Sequence, residues 1–127
     1  MPQTQPDGVV LAAVSNAMVA LHKEQFGRGP TVARSNFAGP DTLVCVLEDA
    51  LLPAERAMVE MGEQHRVRET RGFYQVATAG RFIDAVEALI SRTVRAFASA
   101  MDPDHGVAME VFVLEPLDGK RPDPPSA

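Results

Sequence analysis

The run Thr42-Leu43-Val44-Cys45-Val46-Leu47-Glu48 constrains this chain more than any other. Its interior is apolar throughout, and the turn-forming Gly39-Pro40-Asp41 stands just before it. A short apolar run bounded by a turn reads as a central strand, either covered on both faces or continuing into an interface. Thr31–Ala38 reads as its partner, so the pair makes an antiparallel hairpin. A second hairpin is expected from Thr93–Ala100 and Ala108–Glu115, joined by the turn formers Met101 to Gly106. In its last strand, Met109, Val111 and Val113 alternate with Glu110, Phe112 and Leu114.

Helices fill the rest. Val10, Val14, Ala17, Met18 and Leu21 form one stripe of a helix over Val9–Phe26. Asp7 can cap its start, and Gly27, Gly29 and Pro30 stop it. Pro53 suits the first turn of a second helix, and Glu55 the positive end of its dipole. The helical pattern runs on to Val76, with a break expected near Gly72. A third helix over Ala79–Ser91 would be capped by Thr78, with Phe82, Ile83, Val86, Leu89 and Ile90 as its apolar face.

The order α-β-β-α-α-β-β gives an α+β fold, with a four-stranded antiparallel sheet and helices on one face. It reads as an internal duplication. Each half is a helix, a strand opening Thr31-Val32 or Thr93-Val94, a turn, and a strand ending Val46-Leu47-Glu48 or Val113-Leu114-Glu115. The open sheet face and edges offer a contact to another subunit, so a homo-oligomer is expected, a dimer first. Residues 9–116 form the single domain, between disordered tails at 1–8 and 117–127; the second tail is proline-rich.

Composition narrows the function classes. Of 127 residues, 12 are Lys or Arg against 17 Asp or Glu, for a formal charge of −5. An acidic domain is a poor match for a phosphate backbone or an anionic membrane surface, so no nucleic acid is expected as partner. The order of elements has a rival in the prokaryotic type of KH domain. That fold needs a Gly-x-x-Gly clamp, and Gly62, Gly72 and Gly80 never meet that spacing. The lone Cys45 excludes an intrachain disulfide and agrees with a reducing compartment. The longest apolar run, Val9 to Val14, is too short to cross a bilayer. A cytoplasmic chain is expected, held at a membrane only through a partner and not by direct insertion.

The side chains give no catalytic residue, no cofactor and no metal site from spacing alone. His22, His65 and His105 lie on separate elements, and surface or half-buried positions are expected for them. Asp102, Asp104 and His105 resemble a metal cluster, yet a capped turn accounts for them. Cys45 reads as a buried structural thiol, and Met18, Met58, Met61, Met101 and Met109 as core filler. Gly27-Arg28-Gly29-Pro30 follows a helix and lacks the lysine of a phosphate-binding loop, which favours a helix stop over an anion nest. Arg66, Arg68 and Arg71 form the densest basic run, with Arg68 and Arg71 on one helical face. Together with Arg28 they are the candidate anion- or partner-binding residues, against a solvated ion-paired face as the plainer reading. A further alternative is an enzyme site assembled between subunits from His22, Arg68 and Asp102.

Several segments in order carry a family resemblance. They are Leu21-His22-Lys23-Glu24 with Gly27-Arg28-Gly29-Pro30, then Leu43–Leu47 running into Leu52-Pro53-Ala54-Glu55-Arg56, then Arg81-Phe82-Ile83, and last Val111-Phe112-Val113-Leu114-Glu115. This arrangement resembles the MpsC-like family of small bacterial proteins, named for a sodium-translocating, membrane-potential-generating system. The resemblance spans about Val9 to Pro116. It implies a non-enzymatic accessory or regulatory module beside a membrane ion-transport or inorganic-carbon uptake system, with a membrane-transport protein as partner.

Overall fold

The computed structural model describes residues 7–120. Of the tails expected at 1–8 and 117–127, residues 1–6 and 121–127 lie outside the described residues, while Gly8 already opens the first helix and Leu117–Asp118 form a turn. Seven elements follow one another: α1 (Gly8–Phe26), β1 (Val32–Phe37), β2 (Thr42–Glu48), α2 (Pro53–Glu60), α3 (Gln64–Ile90), β3 (Val94–Asp102) and β4 (Val107–Leu114). This is the expected α-β-β-α-α-β-β order of an α+β fold. The strands form one antiparallel sheet in the order β1-β2-β4-β3. The two hairpins therefore meet through their second strands.

Local chemistry sets the ends of α1. The Asp7 carboxylate accepts a hydrogen bond from the Val10 N–H at 3.1 Å, and Gly27 closes the helix at φ 80°, a backbone region that favours glycine. The buried face of α1 holds Val14, Ser15, Met18 and His22. It is turned slightly from the apolar stripe, because two polar residues point inward with it.

The break expected near Gly72 is not there. Helix α3 runs unbroken through Gly72, Thr78 and Gly80, and the chain breaks earlier, at Gly62 with φ 79°. A glycine ends a helix when its left-handed conformation is used, and otherwise only weakens one. Thr78 caps nothing: its hydroxyl donates back to the Tyr74 carbonyl at 2.8 Å, within the helix.

Helices α1 and α3 lie on one face of the sheet, α1 over the first hairpin and α3 over β3, while α2 leans on α3. Between them sits the core of Val14, Met18, Leu43, Leu47, Phe82, Val86, Phe112 and Leu114. Arg92 ties the two hairpins together. Its guanidinium donates to the Pro40 carbonyl, the Asp41 carboxylate at 2.6 Å and the Glu115 carbonyl. The methionines divide: Met18 is buried, whereas Met61 and Met109 are exposed, contrary to a uniform core role.

The sheet register obeys the duplication read from the sequence. Laying Thr31-Val32 on Thr93-Val94 and Val46-Leu47-Glu48 on Val113-Leu114-Glu115 exchanges the pair Cys45–Glu110 with the pair Phe112–Leu43. The same exchange carries Ser35 to Phe97 and Ser99 to Phe37. An approximate two-fold axis between β2 and β4 has this effect.

Nothing lies within 4 Å of a Cβ built at Gly72 or Gly80. Gly72→Ala and Gly80→Ala are each expected to stabilise the protein by about 0.5–1 kcal/mol, read as a higher thermal midpoint. A lowered midpoint for Gly72→Ala would contradict a continuous α3.

Candidate functional site

Three rows of side chains cross the helix-covered face of the sheet. The outer rows are apolar: Ala33-Leu47-Ala108-Met101 on one side and Phe37-Leu43-Phe112-Phe97 on the other. The middle row is Ser35-Cys45-Glu110-Ser99. Helix α1 answers two of its members. The Ser15 and Ser35 hydroxyls share a hydrogen bond of 2.7 Å. His22 Nε2 lies 2.9 Å from Glu110 Oε1. His22 is 5% exposed and Glu110 2%, so this pair is buried. The surface or half-buried place expected for His22 is thereby corrected. Glu110 Oε2 has no hydrogen-bond partner among the described residues. Burial pushes the Cys45 thiol up, against a hydrogen bond with Ser35 and with added repulsion from Glu110. It is a structural thiol in geometry as in sequence.

A cavity of about 380 Å³ opens beside this row. Its walls come from α1 (His22, Phe26), α3 (Arg68, Gln75) and the sheet (Ser99, Glu110). It exists because the buried residues of α3 are Val67, Phe82 and Val86, with none between Val67 and Phe82. Over that span of about 22 Å the helix bridges the sheet without packing into it. The aromatic wall is ordered: Phe82 stacks with Phe97 at 5.9 Å, Phe97 with Phe112 at 4.8 Å, and His22 meets Phe82 edge-on at 5.6 Å.

The candidate arginines meet different fates. Arg71 is a lock. It grips Glu55 through two nitrogens at 2.7 and 2.6 Å, donates to the Ala50 carbonyl at 2.7 Å and lies 4.0 Å over the Phe26 ring. Glu55 in turn accepts from the Leu52 N–H and so starts α2. Arg28 clamps the same connection from the other side, donating to the Asp49 and Leu51 carbonyls and to the Asp49 carboxylate at 2.7 Å. Asp49 takes a left-handed φ of 53° there, and the hydrogen bond from Arg28 holds its carboxyl below the ordinary range. The Gly27–Pro30 segment thus stops the helix and delivers an arginine to the β2–α2 connection. Arg66 pairs with Glu63 on the surface at 3.0 Å. Arg68 lines the cavity and has no ion pair among the described residues. Of the candidates, Arg68 and Arg71 reach one cavity, while Arg66 and Arg28 do not.

Elsewhere the plainer readings hold. The Asp102 carboxylate accepts from the Asp104 N–H at 3.1 Å and meets His105 Nδ1 at 3.0 Å, which makes a capped turn. That turn is outside the cavity lined by His22 and Arg68, so the three residues of the interface-assembled site do not meet within one chain. His65 is exposed beside Glu63. Glu110 escaped the sequence reading. The signal was there, as the one charged residue in the alternation Ala108, Glu110, Phe112, Leu114.

Among the described residues no helix covers the other face of the sheet. The expectation that β2 is covered on both faces is therefore corrected, and its alternative, an interface, stays open. Three rows again cross it: Arg34-Val46-Met109-Ala100, Asn36-Val44-Val111-Ala98, and Thr42-Val113-Ala96 at the end. Met109 is 42% exposed and Val32, at the rim, 47%.

Arg71→Ala leaves Glu55 buried and unpaired, and is expected to cost about 3–5 kcal/mol in urea unfolding. Arg68→Ala, at an exposed position, should stay within about 0.5 kcal/mol of the parent. Equal small losses would show that the Arg71–Glu55 lock contributes little. In the folded protein Cys45 should resist a thiol-reactive dye at neutral pH and react once denaturant is added; rapid labelling of the native state would contradict its burial.

Among the described residues no helix is long and apolar enough to cross a membrane. Comparison with curated proteins and with solved structures gave no match. One family model, described as Na+-translocating membrane potential-generating system (MpsC), matches residues 7–116. That span takes in every helix and strand described above, and the chain belongs to the MpsC family.

Proposed function

We propose that this chain is a non-enzymatic accessory subunit of a Na+-translocating, membrane-potential-generating system, and that it works as a homodimer joined through the uncovered face of its sheet. The family supports the association with such a system. The observation that carries the homodimer is the continuous apolar surface of Val44, Val46, Met109, Val111 and Val113, flanked by Ala96, Ala98 and Ala100.

Ordinary strand geometry gives this surface, three strands wide and three rows long, a footprint of about 14 by 20 Å. That is the size of the dry centre of an interface, with room for a polar rim. A two-fold contact presents the same patch to itself. This patch suits such a contact, because a column of bulky side chains on β2 and β4 lies beside a column of alanines on β3. Two sheets packed face to face can set the bulky column of one copy against the small column of the other. At the rim, the exposed Arg34–Glu48 pair, 2.9 Å apart, can exchange partners between copies.

Sedimentation of the full chain tests the reading. The wild type should run as a dimer. Met109→Glu, on the exposed face, should run as a monomer with an unchanged circular dichroism spectrum. In cells depleted of the native chain, the wild type should restore a Na+-dependent membrane potential and Met109→Glu should not. A monomeric wild type, or full restoration by Met109→Glu, would overturn the proposal. A monomeric wild type whose activity Met109→Glu abolishes would give the face to a different protein.

A further inference from the structure

We infer that the cavity between α1, α3 and the sheet is a binding site for a small organic carboxylate with an apolar middle and a hydrogen-bond donor at its far end. The inference does not rest on the dimer, which uses the opposite face of the sheet.

The floor of the cavity asks for a donor. Glu110 is 2% exposed and lines the cavity, yet only one of its carboxylate oxygens is engaged. A buried carboxylate oxygen without a partner is costly, and native proteins rarely leave one so. The chain has a hydroxyl close by in Ser99, the sheet neighbour of Glu110, but it makes no hydrogen bond to it. A hydroxyl or amine within the cavity would meet this need after a small turn of the Glu110 carboxylate, whose free oxygen is shut off from solvent in this structure.

The mouth of the cavity asks for an anion. Arg66 and Arg71, on the same helix, are committed to Glu63 and Glu55, while Arg68 carries an uncommitted charge. The side-chain amides of Gln25 and Gln75 also line the cavity without a hydrogen-bond partner among the described residues. Arginine with flanking amide donors is a fitting receptor for a carboxylate. One free cation above a buried carboxylate also favours a monoanion over a phosphate dianion, which would bring an excess of negative charge.

Between floor and mouth, the walls are Phe26, Phe82, Phe97 and Met101. Phe82 and Phe97 belong to the stacked aromatic series and offer a rigid apolar surface. A cavity of about 380 Å³ has the volume of an ordinary small-molecule site and its usual make-up, apolar walls with a few convergent polar groups. The arrangement orients its guest: carboxylate outward on Arg68, apolar body against the aromatic wall, donor inward on Glu110.

Titration of the full-length, 15N-labelled protein with 4-hydroxyphenylacetate, followed by two-dimensional NMR, tests the inference. The amides of His22, Gln75 and Ser99 should shift together and saturate. Phenylacetate, which lacks the inward donor, should bind about tenfold more weakly, the worth of one hydrogen bond to a charged group. Arg68→Ala, at an exposed position that should leave the fold intact, should weaken both compounds about tenfold. Glu110→Gln, if folded, should lose the preference between them. The inference is overturned if neither compound at millimolar concentration shifts the cavity residues, if the shifts fall on the uncovered sheet face instead, or if Arg68→Ala binds both as the wild type does.

Discussion

A carboxylate at the centre of a sheet has to be neutralised or hydrogen-bonded, and the placement of Glu110 imposes that demand on its surroundings. An unpaired buried charge costs several kcal/mol, a large part of what holds a domain of this size together. The demand is met in part from α1, which engages one of the two carboxylate oxygens. Ser15 and His22 stand two helical turns apart on one face and reach two members of the same cross-sheet row, Ser35 on β1 and Glu110 on β4. Two such contacts fix both the rotation of α1 about its axis and its slide along the sheet. Apolar contacts around Val14 and Met18 supply the area, but they tolerate small shifts that directed hydrogen bonds do not.

With α1 set, the geometry of the rest follows in steps. Gly27 ends the helix and Arg28 comes off its end onto the β2–α2 connection. Arg71 grips that connection from α3, and its Glu55 partner begins α2. Helix α3 is therefore held at both ends, by Arg71 and Val67 near its start and by Phe82 and Val86 near its finish. The cavity is the space beneath the stretch between those anchors.

The fold was largely legible in the sequence, because turn residues and periodicity act locally. Gly39-Pro40-Asp41 and the apolar run after it locate β2 with the bounds that the structure has. The error near Gly72 has a physical source. A helical glycine and a helix-ending glycine are the same residue, and only the backbone conformation at Gly62 distinguishes them. The site was less legible. In β4 both alternating sets of residues are mainly apolar, Met109, Val111 and Val113 against Ala108, Glu110, Phe112 and Leu114. Period alone does not say which set faces the helices, so the burial of Glu110 stayed hidden. The basic run was visible, but helical spacing places Arg68 and Arg71 on one face without showing that only Arg71 finds a buried carboxylate, Glu55, distant in sequence.

The two-fold relation between the hairpins has a bearing on how such a protein can change over time. Ser35, Cys45, Glu110 and Ser99 occupy the places that Phe97, Phe112, Leu43 and Phe37 hold in the other half. Each hairpin thus gives two residues to a hydrocarbon row and two to a polar one, and the two-fold relation exchanges the rows. Burial by the aromatic row can absorb the destabilisation that a polar row introduces. Substitutions in the polar row are then free to explore new ligands so long as the aromatic row stays intact. Gene duplication gives that freedom to separate proteins; here two rows of one sheet, matched by the two-fold relation, share it out within a single chain.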